Sequence, residues 1–275
     1  MSDTLVRPQR GGMVPATADA VNPIDPYAFN PGYYDLLRAK DGDTALPSPR
    51  FFADLVPENG SVLEIGSGTG RITLELAERA GGVWCLDRSV TMRAVLLAKL
   101  AQRPDLWDRV TVLAGSALDF KLDRTFDFIC MAGVLEHVSK DDRPGLFRAI
   151  SDHLVPGGIA AMDMVLTEPA LEMPDQVVDE VTVGECRYTF SIQADRIDPD
   201  LSHLHMTYRT HYQGEVVATE VVERLHNLHR PDAVLRDLAE VGLVPAEGSG
   251  IAMATGDPDD PGAVVVRKPP EGGVA

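Results

Sequence analysis

Basic residues are scarce in this chain. Lys and Arg number 25 against 42 Asp and Glu, a formal net charge of −17. No cluster of Lys and Arg interrupts the excess, so a polyanion such as DNA or RNA would be repelled, and nucleic acid is not expected as a partner. Cysteine is scarcer still. Cys85, Cys130 and Cys186 show neither metal-ligand nor redox spacing, and Cys85 and Cys130 sit in apolar strand-like runs. Buried free thiols in a reducing cytoplasm are the expectation, with no metal site. Long apolar runs are also missing. None approaches the roughly 18 residues of a membrane span, and the first residues lack an apolar signal segment, so no membrane association is expected.

What is present is enough apolar sequence for one sizeable core, 44 % of 275 residues. Residues 1–24 are polar and aperiodic and are expected to be a disordered tail; residues 25–275 form one domain. The chain is organised around Val62-Leu63-Glu64-Ile65-Gly66-Ser67-Gly68-Thr69-Gly70-Arg71, an apolar run ending in an acid and a glycine-dense turn. Ile72, Leu76 and Ala80 follow at helical spacing, so the stretch reads as strand, tight turn, helix. Glycines there let a ligand approach the backbone and meet free helix N–H groups. A dinucleotide fingerprint needs Gly-x-Gly-x-x-Gly, but here the third glycine, Gly70, comes one residue early and Arg71 takes its place.

Gly-x-Gly-x-Gly with Glu64 upstream resembles the first motif of class I S-adenosylmethionine (SAM) methyltransferases. The resemblance implies that Glu64, Gly66, Ser67, Gly68 and Gly70 hold the methionine end of SAM, with S-adenosylhomocysteine as product. Asp87 ends the second strand, Gly82 to Leu86, where an acid can accept both ribose hydroxyls; Arg88 follows beside the adenine. After the third strand, Val110 to Leu113, Ser116 stands where many members carry Asp, so Ser116 and Ala117 are assigned to adenine. The fourth strand, Phe126 to Met131, leads into Ala132-Gly133-Val134-Leu135-Glu136-His137, which resembles the family's post-strand motif. Met131 then faces the cofactor, Glu136 the substrate, and His137 is the candidate general base. A helix carrying Leu146, Phe147, Ile150 and Leu154 stops at Val155-Pro156-Gly157-Gly158, and a fifth strand begins at Ile159. Strand alternating with helix gives a doubly wound, mostly parallel sheet, which the family completes to seven strands with the tail after Arg230.

Outside this core, about 57–166 and 230–268, two regions point to the acceptor. Tyr27, Phe29, Tyr33 and Tyr34 crowd the N-terminal side, where the family's aromatics contact the cofactor or close the pocket; Tyr33 is assigned to the cofactor, because a tyrosine face attracts a sulfonium as it attracts ammonium, and Tyr34 to the substrate. The insert, about 167–229, reads as a three-stranded antiparallel lid. Tyr188, His203, His205 and Tyr208 are its substrate candidates. The layout resembles N-methyltransferases that tailor bacterial peptide and amino-sugar natural products, of glycopeptide or ribosomal-peptide type. The expected activity is methyl transfer to an amino group of a small molecule or peptide by a monomer or homodimer. O- or C-methylation, or SAM binding without methyl transfer, are the alternatives.

Overall fold

A computed structural model describes residues 25, 27, 31–41, 49–164, 169–246 and 262–270. The predicted tail, 1–24, lies outside the described residues. Two helices, α1 (Pro31–Asp41) and α2 (Pro49–Asp54), precede the core. Then β1 (Ser61–Ile65), α3 (Arg71–Arg79), β2 (Gly82–Asp87), α4 (Val90–Leu100), β3 (Val110–Ala114), β4 (Phe126–Met131), α5 (Arg143–His153) and β5 (Leu154–Asp163) alternate. After the insert come α6 (Pro231–Glu240), β10 (Val244–Pro245) and β11 (Ala263–Arg267). The strands order as β10-β11-β5-β4-β1-β2-β3, parallel from β5 to β3, with β11 antiparallel to β5.

The two-residue period of the strands sorts side chains between two layers. Leu63, Ile65, Ile129 and Met131 pack against Leu146, Phe147 and Ile150 of α5 and Val234 and Leu238 of α6. Val62, Val83, Cys85, Phe128 and Cys130 pack on the other face against Leu76 of α3, Leu96 of α4 and Phe52 of α2. Each fully buried Leu, Ile or Phe here is worth about 1.5–3 kcal/mol. Cys85 and Cys130 are buried free thiols. The fifth strand starts earlier than expected, at Leu154. The Val155–Gly158 turn is taken up as a register shift against β4, with Gly157 at φ 85°. The strand order reverses at β1, between β4 and β2. That switch point is where open α/β sheets hold their ligands.

The insert departs from expectation in one respect. It has four strands, not three: β6 (Met173–Val183), β7 (Cys186–Asp198), β8 (Leu201–Tyr212) and β9 (Glu215–Asn227), in that order and antiparallel throughout. The extra one is β6, an edge strand exposed along most of its length, so it shows no apolar alternation. Pro174, Asp175, Asp179 and Glu180 are residues that protect an edge, and they hid it. The turn between β7 and β8 ties the insert to the core. Ala170 N–H donates to Pro199 O (2.9 Å), Leu228 N–H to Asp200 O (2.8 Å), and the Asp200 carboxylate pairs with Lys140 and Arg230.

Candidate functional site

The glycine turn is packed tightly from behind and open in front. Gly66 (φ 73°) and Gly70 (φ 84°) take left-handed backbone, and a Cβ on either would stand 2.3 Å from Val134 Cγ2 or Leu96 Cδ1. A Cβ on Gly68 would meet nothing within 4 Å. Gly66 and Gly70 therefore let the turn dock on the post-β4 loop and on α4. Gly68 leaves the outer side accessible. Ser67 is 5 % exposed, and its Oγ has no hydrogen-bond partner among the described residues. Thr69 Oγ1 donates to Asp35 Oδ1 on α1 (2.6 Å), and the other oxygen of Asp35 pairs with Lys99 on α4 (2.9 Å).

Asp87 ends β2 beside the turn. Its carboxylate accepts from Gly68 N–H and Ser89 N–H, both at 2.7 Å. Burial nevertheless raises its pKa above the usual carboxylate value. Ser89 Oγ donates to Asp25 (2.7 Å), which draws the N-terminal segment to this edge. Arg88 is exposed beside it and lies near enough to act on His137. Ser116 Oγ accepts from Leu118 N–H (3.2 Å), closing its own loop, and Ala117 packs against the core below. Glu64 is 2 % exposed and accepts from Thr73 Oγ1 at 2.5 Å. Burial pushes its pKa up to about 8, against the pull of Thr73 and Arg71.

The post-β4 loop is held from three sides. His229 donates from Nε2 to Leu135 O (2.8 Å) and Val138 O (3.0 Å), and its Nδ1 accepts from Arg143 (2.9 Å). Arg143 forms a largely buried ion pair with Asp237 on α6, which fixes the anchor in turn. Asn227 Nδ2 donates to Glu136 O (3.0 Å). His137 projects from this loop with Nε2 2.8 Å from Tyr27 Oη and 3.0 Å from Arg224 Nη1 of β9. Arginine only donates, so Nε2 is an acceptor and the ring is the neutral Nδ1–H tautomer. Desolvation by the surrounding protein and the Arg224 guanidinium push its pKa down to about 3, although one side of the ring stays open to solvent.

Asp163, the last residue of β5, completes the floor. Both its oxygens lie 2.9 Å from Gly133 N. Glu136 Oε1 stands 3.8 Å from where a Gly133 Cβ would be, so the two carboxyl groups flank one residue. Burial, then the charge of Glu136, raises Asp163 to about 7; burial also raises Glu136, with Arg224 opposing.

The lid separates its candidates by face. Tyr188, Phe190, Met206, Tyr208, Thr210, Glu220 and Arg224 share one face, as the strand registers require. Tyr33 of α1 packs there, 5.6 Å from the Tyr188 ring and 5.2 Å from Tyr208, and its hydroxyl meets Thr210 Oγ1 (2.5 Å) and Glu220 Oε2 (3.2 Å). Tyr34 is half-buried next to it on α1. His203 and His205 stand on the opposite face, rings 4.4 Å apart, against Glu223 and Asp195. The structure does not bring these two to the Tyr33 face. Strand parity alone could have separated them from Tyr208. Among the described residues no group of His, Cys, Asp and Glu is arranged to hold a metal ion.

Sequence reasoning passed over Asp163, Arg224, Asp25 and Asp35. Only Asp163 carried a signal: an acid at the carboxyl end of a central parallel strand. Arg224 reaches the site through a long-range fold, and nothing local marks it.

Residues 62–158 match the methyltransferase domain family. The cypemycin N-terminal methyltransferase of a Streptomyces species is 32 % identical over 112 residues, which is 40 % of this chain and 43 % of that protein. The chain spans about half the length of the curated relatives it matches, 43 %, 44 % and 57 % for three of them. Among solved structures, the sugar N-methyltransferase KedS8 of a Streptoalloteichus species superposes with a TM-score of 0.68 at 20 % identity, over 95 % of this chain and 99 % of that one. The glycopeptide N-methyltransferase MtfA, solved with SAM, is 26 % identical with a TM-score of 0.53, over 83 % of this chain and 94 % of that one. The glycine turn, the acid ending β2 and the seven-stranded order agree with that match: residues 62–158 carry a methyltransferase domain of the class I SAM-dependent type.

Proposed function

We propose that this protein transfers a methyl group from SAM to an amino group of a small-molecule or peptide natural product. The observation that carries the reading is the position of Arg224. It sits on the Tyr33 face of the lid and reaches His137 at the strand ends that carry the glycine turn and Asp87. The residues present fit SAM. The front of the turn is open at Gly68, Ser67 Oγ is buried without a partner, and the Asp87 carboxylate faces the same edge. Glu64, Gly66, Ser67, Gly68 and Gly70 would hold the methionine end. Asp87 would hold the ribose, Arg88, Ser116 and Ala117 the adenine side, with Met131 and Tyr33 against the remainder. When bound, SAM supplies a methyl on a sulfonium, which needs no further activation.

The chain's own part is to bind the acceptor, exclude water and align the two reactants at about 3–3.5 Å. His137 suits positioning better than proton abstraction. Its accepting nitrogen lies against a guanidinium, and a ring with pKa about 3 is a weak base. A hydroxyl acceptor would need a strong base there; an amine needs only to be neutral. Relatives whose names specify nitrogen, the cypemycin N-terminal, sugar N- and glycopeptide N-methyltransferases, support the same choice. The reading includes a cytoplasmic monomer or homodimer, and no helix among the described residues is long and apolar enough to cross a membrane.

The test is a transfer screen. Methyl-labelled SAM is incubated with amine-, hydroxyl- and carboxyl-bearing acceptors, including peptides with free terminal amines, and products are located by mass fragmentation. Label on nitrogen is expected. Label on oxygen or carbon alone would replace this reading with the O- or C-methyl one, and bound SAM with no label on any acceptor would favour a non-methylating role.

A further inference from the structure

We infer that Asp163 and Glu136 form the acceptor's ammonium-binding site, and that Asp163 takes the proton the amine must lose before it can attack. The inference rests on the methyltransferase reading and deepens it. Three observations meet at this point. The two carboxyl groups flank Gly133, with Asp163 fixed by the Gly133 N–H at 2.9 Å and Glu136 Oε1 3.8 Å from the Gly133 Cβ position. Glu136 lies on the loop that Val134 presses against Gly66, and Asp163 at the end of β5 is bonded to it, so the pair borders the turn in which Ser67 Oγ, in a residue 5 % exposed, has no partner among the described residues. The one histidine at the same loop has its accepting nitrogen against Arg224.

The charges around the pair explain why a cation suits it. Arg224 from β9 and Arg71 from α3 act on it from outside, and His137 beside it is neutral. Two carboxyl groups this close do not both ionise freely. Burial and mutual repulsion hold Asp163 at about 7, a value at which it can both accept and release a proton near neutrality. An alkylammonium placed between them relieves the repulsion. One N–H proton then passes to the Asp163 carboxylate, leaving a neutral amine and a carboxylic acid. The nitrogen lone pair forms the new C–N bond as the methyl C–S bond breaks, S-adenosylhomocysteine is released, and Asp163 returns its proton to water. A neutral alcohol can donate one hydrogen bond to this pair but brings no charge to it, so the site favours amines.

The experiment measures binding to the intact protein with S-adenosylhomocysteine bound, by calorimetry, using phenylalanine amide and its hydroxyl counterpart phenyllactamide as probes. The wild type is expected to bind the amine at least tenfold more tightly than the alcohol. Asp163→Asn, whose amide oxygen can still accept from Gly133 N–H, and Glu136→Gln should each reduce that preference to threefold or less. SAM affinity should stay within a factor of two, which shows the fold intact. Repeating the wild-type titration at pH 6 in buffers of different ionisation enthalpy should show a proton released on amine binding, because free Asp163 and the free ammonium are both protonated there while the complex shares one proton, and Asp163→Asn should abolish that release. Equal affinity for both probes, no binding of the amine, or an undiminished preference in both variants would overturn the proposal. If the wild type failed to bind SAM, the methyltransferase reading would fall first, and this inference with it.

Discussion

Asp87 spends two of its acceptor positions on Gly68 and Ser89, and a carboxylate has further lone pairs to accept with. Replacement by Ala should weaken SAM binding by about 1–3 kcal/mol, the scale for hydrogen bonds to a charged group. Calorimetry on the purified variant measures this directly, and unchanged affinity would remove Asp87 from the ribose. His137 behaves differently. His137→Ala should slow turnover and leave SAM affinity nearly intact. The pH–rate profile of the wild type should carry no limb near 6.5 that disappears in the variant, because the ring stays neutral from neutrality down to about pH 3. Gly66 has a structural part besides its place in the motif. Gly66→Ala adds a Cβ at 2.3 Å from Val134 Cγ2 on backbone with φ 73°. A loss of about 2–4 kcal/mol in denaturant unfolding is expected. At this scale residue type and motif were enough to place Glu64 at the end of a strand, the glycines in a left-handed turn and Asp87 at the end of the next strand. The sequence was silent on Arg224, which meets His137 only through folding, and marked Asp163 only as an acid at the end of a central strand.

Among elements, the post-β4 loop depends on helices it does not touch in sequence. His229 grips its carbonyls, Arg143 grips His229, and Asp237 grips Arg143. Asp237→Ala leaves a guanidinium that is 7 % exposed without its counter-ion, and should cost about 3–5 kcal/mol, seen as a lower unfolding midpoint. Its effect on turnover should exceed its effect on SAM affinity, since the loop meets the acceptor. The alternation of strands and helices was legible because apolar periods of two and of 3.6 residues are local quantities. The lid was legible only in part. The interior strands β7 and β8 alternate apolar and polar residues, whereas β6 carries Pro174 and acids on an exposed edge and reads as loop.

For the whole molecule, buried groups of opposite kind set the response to pH. His137 and His226 have folded pKa values of about 3 and 4, below the unfolded value, so their contribution is complete above about 6.5 and is lost as the pH falls through 4. Glu64 and Asp163 are raised to about 8 and 7, so their contribution is complete below the unfolded carboxylate value and is lost as the pH rises through 7 to 8. Of these four groups only the two acids change between pH 6.5 and 8.5, and the melting temperature should fall. Glu64→Gln should flatten that fall, which a thermal scan at the two pH values would show. Helix α1 adds a last property of the whole. Tyr33 joins it to Thr210 and Glu220 of the lid, and Asp35, half a turn on, joins it to Thr69 in the glycine turn. The cofactor pocket and the acceptor wall therefore lean on one rigid rod. By thermodynamic reciprocity, whatever the first ligand does for the second, the second returns in equal measure. On the proposed reading, SAM settled in the turn and an acceptor held at the wall then change each other's affinity by one and the same factor, transmitted along the rod.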